Sequence, residues 1–162
     1  MKSVKTNWKK EFFSTRYDLF ANIQQVGELE EGVLSLSSSG KLNDCKLRFQ
    51  KKRFLGTDAY IVDAISDKRI GEIKFNFLGH KAEVKIKDKT YDWKFDNFWG
   101  TKWSISENYN CLISYNSSAF SFSGDVKSTE ENDMLLLTGL FAYNHFSQII
   151  LAIVLFYLIF IS

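Results

Sequence analysis

The sequence predicts a mainly β protein: an antiparallel meander of about ten strands forming a barrel or strongly bent sheet, closed by a hydrophobic C-terminal helix. Three observations carry this. Apolar and polar residues alternate with period two through most of the chain, turn signals recur at short spacing, and the C-terminal residues change to an unbroken apolar pattern. Composition agrees, since aromatics reach 16% of the 162 residues and proline is absent, a bias toward strands. Hydrophobic residues at 45% and charged residues at 25% are ordinary for a globular chain and exclude disorder as a description of the whole.

The first ten residues, Met1 to Lys10, carry lysines but no apolar stretch. A signal peptide needs a run of roughly 7–15 apolar residues, so the body of the protein is expected in the cytoplasm. The strands are counted from Arg16 to Val126. Tyr17-Asp18-Leu19-Phe20 leads to Val26-Gly27-Glu28-Leu29, and the same hairpin recurs as Tyr60-Ile61-Val62-Asp63 leading to Ile70-Gly71-Glu72-Ile73. The glycine in each returning strand marks a bulge or a close backbone approach. Ser37-Ser38-Ser39-Gly40 reads as a longer loop. Leu47 and Phe49 alternate with Lys46, Arg48 and Gln50, and Ile73 and Phe75 with Glu72, Lys74 and Asn76. Lys81 to Lys87 alternates without a fault, Tyr91 to Phe95 repeats the pattern, and Trp103 shares a face with Ile105. Phe120 and Phe122 alternate with Ser121 and Ser123. Ser66-Asp67-Lys68, Asp88-Lys89, Asn108-Tyr109-Asn110 and Asn116-Ser117-Ser118 read as hairpin connections. A sheet with one polar and one apolar face is antiparallel, and so many strands curl on themselves.

Ser128-Thr129-Glu130-Glu131 reads as a capping box opening the helix. Met134 to Tyr143 is one apolar run, Asn144-His145-Phe146-Ser147-Gln148 a polar break, and Ile149 to Ile161 a second run. The second run alone would span about 20 Å and both together about 42 Å, against a hydrocarbon core of ~30 Å. The expected division is a β-rich domain with its helix over 1–146 and a hydrophobic tail over 147–162. In that reading Asn144, His145, Ser147 and Gln148 lie at lipid headgroups. Ile149, Ile150, Leu151, Ile153, Val154, Leu155, Phe156, Tyr157, Leu158, Ile159, Phe160 and Ile161 form a membrane anchor. The competing reading is a helix buried in protein, since an all-round apolar helix must be enclosed by one or the other.

The order of strands followed by one apolar helix, with Tyr60 to Phe75, the hairpin Lys81 to Phe95, and Asp133-Met134-Leu135-Leu136-Leu137-Thr138-Gly139-Leu140, resembles the superfamily of tubby, LURP-one-related and phospholipid-scramblase proteins. The likeness covers roughly residues 16–146. It implies a barrel of about twelve strands wrapped around a hydrophobic helix, and a non-enzymatic, membrane-associated domain. It carries over no functional residue. There is no lysine-arginine pair matching the phosphoinositide site of tubby, no cysteine cluster like the one acylated in scramblases, and no clear calcium loop.

The candidate chemistry is sparse. Cys45 and Cys111 are too few for a disulfide scaffold and read as small half-buried residues. His80 reads as a solvated turn residue, and neither it nor His145 has Cys or His neighbours at zinc spacing. No G-x-S-x-G, P-loop or dinucleotide fingerprint is present. No catalytic, metal or cofactor residue is therefore assigned. The paired carboxylates Asp63/Asp67 and Glu130/Glu131 read as turn and cap residues. A formal charge of +2 gives no nucleic-acid footprint. Lys46, Arg48, Lys51, Lys52 and Arg53 form the densest basic cluster and are the candidates for anionic-lipid contact; Trp8, Lys9 and Lys10 form a second. Phe95, Phe98, Trp99 and Trp103 flank Gly100 as core, or as a rim for an apolar ligand or an interface. The expected function is a non-catalytic β-domain at the cytoplasmic face of a membrane, acting in binding or assembly, with membrane lipid or a membrane protein as partner. A lipid-handling protein with the helix inside the barrel is the alternative, and an enzyme of unrecognised type the third.

Overall fold

The computed structural model describes residues 4–11, 14–31, 35–78, 80–118 and 122–161. Twelve antiparallel strands close into one barrel: β1 (Val4–Lys10), β2 (Arg16–Ala21), β3 (Gln24–Glu31), β4 (Ser37–Leu42), β5 (Cys45–Lys51), β6 (Asp58–Asp63), β7 (Lys68–Asn76), β8 (Lys81–Ile86), β9 (Lys89–Phe95), β10 (Lys102–Glu107), β11 (Asn110–Ser117) and β12 (Ser123–Ser128). Each strand pairs with its neighbours in sequence, and β1 pairs with β12 to close the ring. A single helix, α1 (Asp133–Phe160), follows.

Two of the twelve strands lie outside the sequence-based count of about ten. The first is β1, which shows little alternation because, among its described side chains, Trp8 is the one large buried residue. The second is β4, expected as a loop. Its inward positions are Ser38, Gly40 and Leu42, so two of the three are small and the apolar alternation is faint. A Cβ built on Gly40 would meet Leu137 of α1 and Phe49 at 3.4 Å, so the helix packs directly on the wall here. Phe120 and Ser121, and Gly79 of the Leu78–Lys81 turn, lie outside the described residues.

The repeated hairpins of the sequence reappear in the register. β2–β3 shifts between Leu19 and Phe20, and β6–β7 between Ile61 and Val62. Leu19 stands opposite Gly27, and Ile61 opposite Gly71. A side chain at Gly27 or Gly71 would overlap the carbonyl oxygen of Lys41 or Lys85 on the next strand. A third shift falls four strands further on, in β10–β11 at Ile105/Ser106. Bulges increase local twist and bend, so three placed four strands apart distribute the curvature needed for closure.

An up-and-down barrel gathers alternate connections at opposite ends. The turns β2–β3, β4–β5, β6–β7, β8–β9, β10–β11 and the β12–α1 link share one end, the hairpin end. Here Asn22, Asn43, Asp67, Lys87, Asn108 and Tyr109 take positive φ, as tight hairpins require. The connections β1–β2, β3–β4, β5–β6, β7–β8, β9–β10 and β11–β12 share the other end. The expected capping box is replaced by a later cap: Ser128 ends β12, and Asn132 is the N-cap, its Oδ1 accepting from the Leu135 amide at 3.0 Å. Asp133 in the first turn favours the positive end of the helix dipole. From there α1 runs up the barrel axis.

Aromatic rings line its path. Trp103 stacks on Tyr143 with centroids 3.8 Å apart, Phe49 on Phe141 at 4.4 Å, and Trp93 on Phe146 at 4.9 Å. The Trp93 indole N–H donates to the Gly139 carbonyl at 3.1 Å and Tyr115 Oη to the Leu136 carbonyl at 2.9 Å. Gly139 is where the helix meets Tyr115 most closely; a Cβ there would overlap the phenol oxygen.

Candidate functional site

The barrel's second end is where α1 leaves, and two layers meet there. The inner layer is polar. Period-two alternation puts Leu29 and Glu31 of β3, and Leu47, Phe49 and Lys51 of β5, on the inward face. The last inward residues of these strands are thus a glutamate and a lysine facing the helix. Their side chains are 3% and 0% exposed. Lys51 Nζ pairs with Glu31 Oε1 and donates to Gln148 Oε1 at 3.2 Å. Asn144 Nδ2 donates to Glu31 Oε2, and so does Gln148 Nε2, at 2.8 Å. Tyr17 Oη of β2 donates to Asn144 Oδ1 at 3.0 Å. One turn of α1 is thereby tied to β2, β3 and β5.

His145 belongs to the same collar. Its Nε2–H donates to the Gly56 carbonyl at 2.9 Å, while Nδ1 is buried without a hydrogen-bond partner. Burial pushes the imidazole down to about 4; the Gly56 bond opposes this and the nearby Lys51 charge adds to it. The ring is therefore neutral at pH 7, packed against Phe75 and Phe77.

The outer layer is apolar. Ile149 is buried at 8% exposure, and the helix surface then opens: from Ile150 to Ile161 the large side chains range from 47% exposed at Val154 to 69% at Phe160. The exposure runs all round the helix, with no polar stripe.

Several expectations need correction. Asn144 and His145 are buried inside the barrel mouth, Ser147 bonds back to the Tyr143 carbonyl, and Gln148 joins the ion pair, so the polar break is not placed at headgroups. Both runs belong to one continuous helix, and the change from enclosed to exposed falls between Ile149 and Ile150. Ile149 therefore leaves the anchor set, while Ile150, Leu151, Ile153, Val154, Leu155, Phe156, Tyr157, Leu158, Ile159, Phe160 and Ile161 are all exposed.

The basic cluster is not one patch. Lys46 is exposed on the outer wall, and Arg48 pairs with Asp67 at 2.7 Å near the hairpin end. Lys51 faces inward and is consumed by Glu31. Lys52 and Arg53 are exposed at the helix-exit end, Lys52 lying 3.4 Å from Asp58. Trp8 is core, and Lys9 and Lys10 lie over the rings of Phe20 and Tyr17. The aromatic group around Gly100 divides: Trp103 is core and Phe95 packs beside it, whereas Phe98 and Trp99 are exposed.

Sequence reasoning missed Glu31 and Tyr17, although the signal was present in the parity of Leu29/Glu31 and Leu47/Phe49/Lys51. Chemically, the collar is saturated around Glu31. Glu31 accepts on both oxygens and its ammonium partner is committed to it. Cys45 and Cys111 are free, with burial raising both thiols above their ordinary value, which leaves them poor nucleophiles. Among the described residues, no three His, Cys, Asp or Glu side chains are grouped to hold a metal ion. The chain matches no family model, no curated protein and no solved structure.

Proposed function

We propose that the protein is a non-catalytic β-barrel domain held at the cytoplasmic face of a membrane by the emergent part of α1, acting in binding or assembly. The observation that carries this is the run Ile150–Ile161, apolar and exposed on every side. Such a surface is not stable in water. A protein partner would present polar backbone and side-chain groups somewhere along it, whereas hydrocarbon needs none, and the run offers only the Tyr157 hydroxyl. Two free thiols fit the reducing side of the membrane. The likeness to tubby and scramblase proteins belongs to the same proposal: a closed barrel around an apolar helix is the architecture that resemblance implies, without a functional residue to transfer.

The test is extraction of the full chain from a membrane fraction. Resistance to high salt and alkaline carbonate, with release by detergent, is the expected result. A monodisperse full chain in detergent-free buffer would overturn the reading, because the emergent run would then be covered by protein.

A further inference from the structure

The emergent helix is not the only apolar feature at its end of the barrel. Three connections there, β5–β6, β7–β8 and β9–β10, present large apolar side chains to solvent. The β5–β6 loop exposes Phe54 and Leu55, β7–β8 exposes Leu78, and β9–β10 exposes Phe98 and Trp99; Leu36 is exposed ahead of β4. Trp99 is 81% exposed and stands edge-on to Phe98 at 5.4 Å, so two large rings project together from a loop braced by Asn97. That asparagine accepts from the amides of Thr101 and Lys102 and donates to the Thr101 hydroxyl.

The hairpin end differs. It exposes Ile23, Ile65 and Tyr109 singly, between turns rich in Asp, Asn and Lys. Isolated exposed apolar residues need no explanation, but a contiguous set does. The doublets Phe54/Leu55 and Phe98/Trp99, with Leu78 on the loop between them, form one apolar rim beside the helix that leaves at this end.

Behind the tips the chemistry changes as it does at a lipid interface. Exposed Lys52, Arg53, Lys81, Lys94 and Lys102 sit at the strand ends, with Glu30, Asp58 and Asp96 among them. Apolar and aromatic tips with basic residues one step back are the pattern of interfacial insertion, where Trp rings settle at headgroup level and Lys and Arg meet anionic phosphates.

We propose that these loop tips form a membrane-docking crown: the barrel rests end-on, with Phe54, Leu55, Leu78, Phe98 and Trp99 inserted into the phospholipid surface beside α1. This rests on the membrane reading above and adds to it. A helix anchor alone leaves the barrel free to tilt, whereas the crown fixes one end against the bilayer and presents the hairpin end to the cytoplasm.

The chain contains its own reporter. Trp8, Trp93 and Trp103 are fully buried, and Trp99 alone among the four is exposed. The full chain is reconstituted into vesicles of phosphatidylcholine and phosphatidylserine carrying brominated acyl chains, and tryptophan emission is compared with that of Trp99→Phe. Interfacial insertion of about 5–10 Å predicts that shallow bromine quenches more strongly than deep bromine, and that the depth-dependent part disappears in Trp99→Phe. Equal quenching of the two proteins would overturn the crown, as would a Trp99 signal shielded from bromine by a second protein copy. A Leu155→Trp reporter in the Trp99→Phe background separates the two proposals. If it is quenched by deep bromine while Trp99 is not, the anchor stands and the crown falls. If neither is quenched, both fall.

Discussion

The two halves of α1 have similar apolar content and opposite surroundings. Residues 133–149 are enclosed by the barrel and include Thr138, Asn144, His145, Ser147 and Gln148; residues 150–160 are exposed and carry no polar group beyond the Tyr157 hydroxyl. The usual association of polar with outside is inverted. Inside the barrel each polar side chain meets a fixed partner: Asn144 and Gln148 meet Glu31, His145 meets Gly56, and Thr138 meets the Met134 carbonyl. Where no fixed partner exists, the sequence supplies no polar side-chain atom but the Tyr157 hydroxyl. Polarity along this helix therefore reports whether a structured neighbour is present, and its absence suits a medium without directional partners.

The strongest way to break the enclosed half is to leave one member of the ion pair alone. Lys51→Met strands the Glu31 carboxylate in a buried site and is expected to cost about 3–5 kcal/mol of stability. The double variant Lys51→Met with Glu31→Leu should recover much of that, because no net charge remains buried. Urea unfolding of the full chain in mild detergent measures both. A Lys51→Met variant as stable as the parent would show that the pair does not hold α1.

A smaller effect comes from His145. Its ring titrates near 4 in the fold against an ordinary 6.5, so below pH 6.5 the unfolded chain takes up the proton first. Stability is thus complete above about pH 7 and falls as pH drops from 6.5 toward 4. The shift corresponds to about 3 kcal/mol over the window. Carboxylates titrate in the same range, so the quantity to read is the difference between the parent and His145→Gln. That difference should shrink as pH falls from 7 to 4.5, and a constant difference would contradict the neutral, buried ring.

The smallest expected effect sharpens the contrast from the other side. Leu155→Ser in the emergent half touches no barrel residue and should leave unfolding within about 0.5 kcal/mol of the parent, while weakening retention on vesicles. A large loss of barrel stability would mean that the emergent run packs on the domain.

Much of the barrel is legible in the sequence because period two is directly visible. Lys81 to Lys87 and Tyr91 to Phe95 alternate cleanly and become β8 and β9. What escapes is what the helix dictates at a distance. Ser37-Ser38-Ser39-Gly40 looks like loop, although Gly40 is small where Leu137, some hundred residues away, packs against it. β1 looks like a basic leader because its value lies in pairing with β12. The collar was half legible: extending the inward parity of Leu47 and Phe49 by one more step reaches Lys51, and of Leu29 reaches Glu31. Charge density along the chain suggested a surface patch at Lys46–Arg53, whereas the pleat sends its members to both faces. That Glu31 meets Lys51 is contained in no local pattern: the register sets Glu31 opposite Ser38 and Ser38 opposite Phe49, and Lys51, one inward step further along β5, reaches Glu31 diagonally across β4.

The most direct test of the account is a chain stopped after Ile149. The central claim is that the barrel needs α1 only through Ile149 and that everything beyond belongs to another medium. The truncated chain should fold in detergent-free buffer, unfold in urea within about 0.5 kcal/mol of the full chain measured in detergent, and no longer sediment with vesicles. A truncated chain that fails to fold, or that loses several kcal/mol, would contradict it and make Ile150–Ile161 part of the protein's own core.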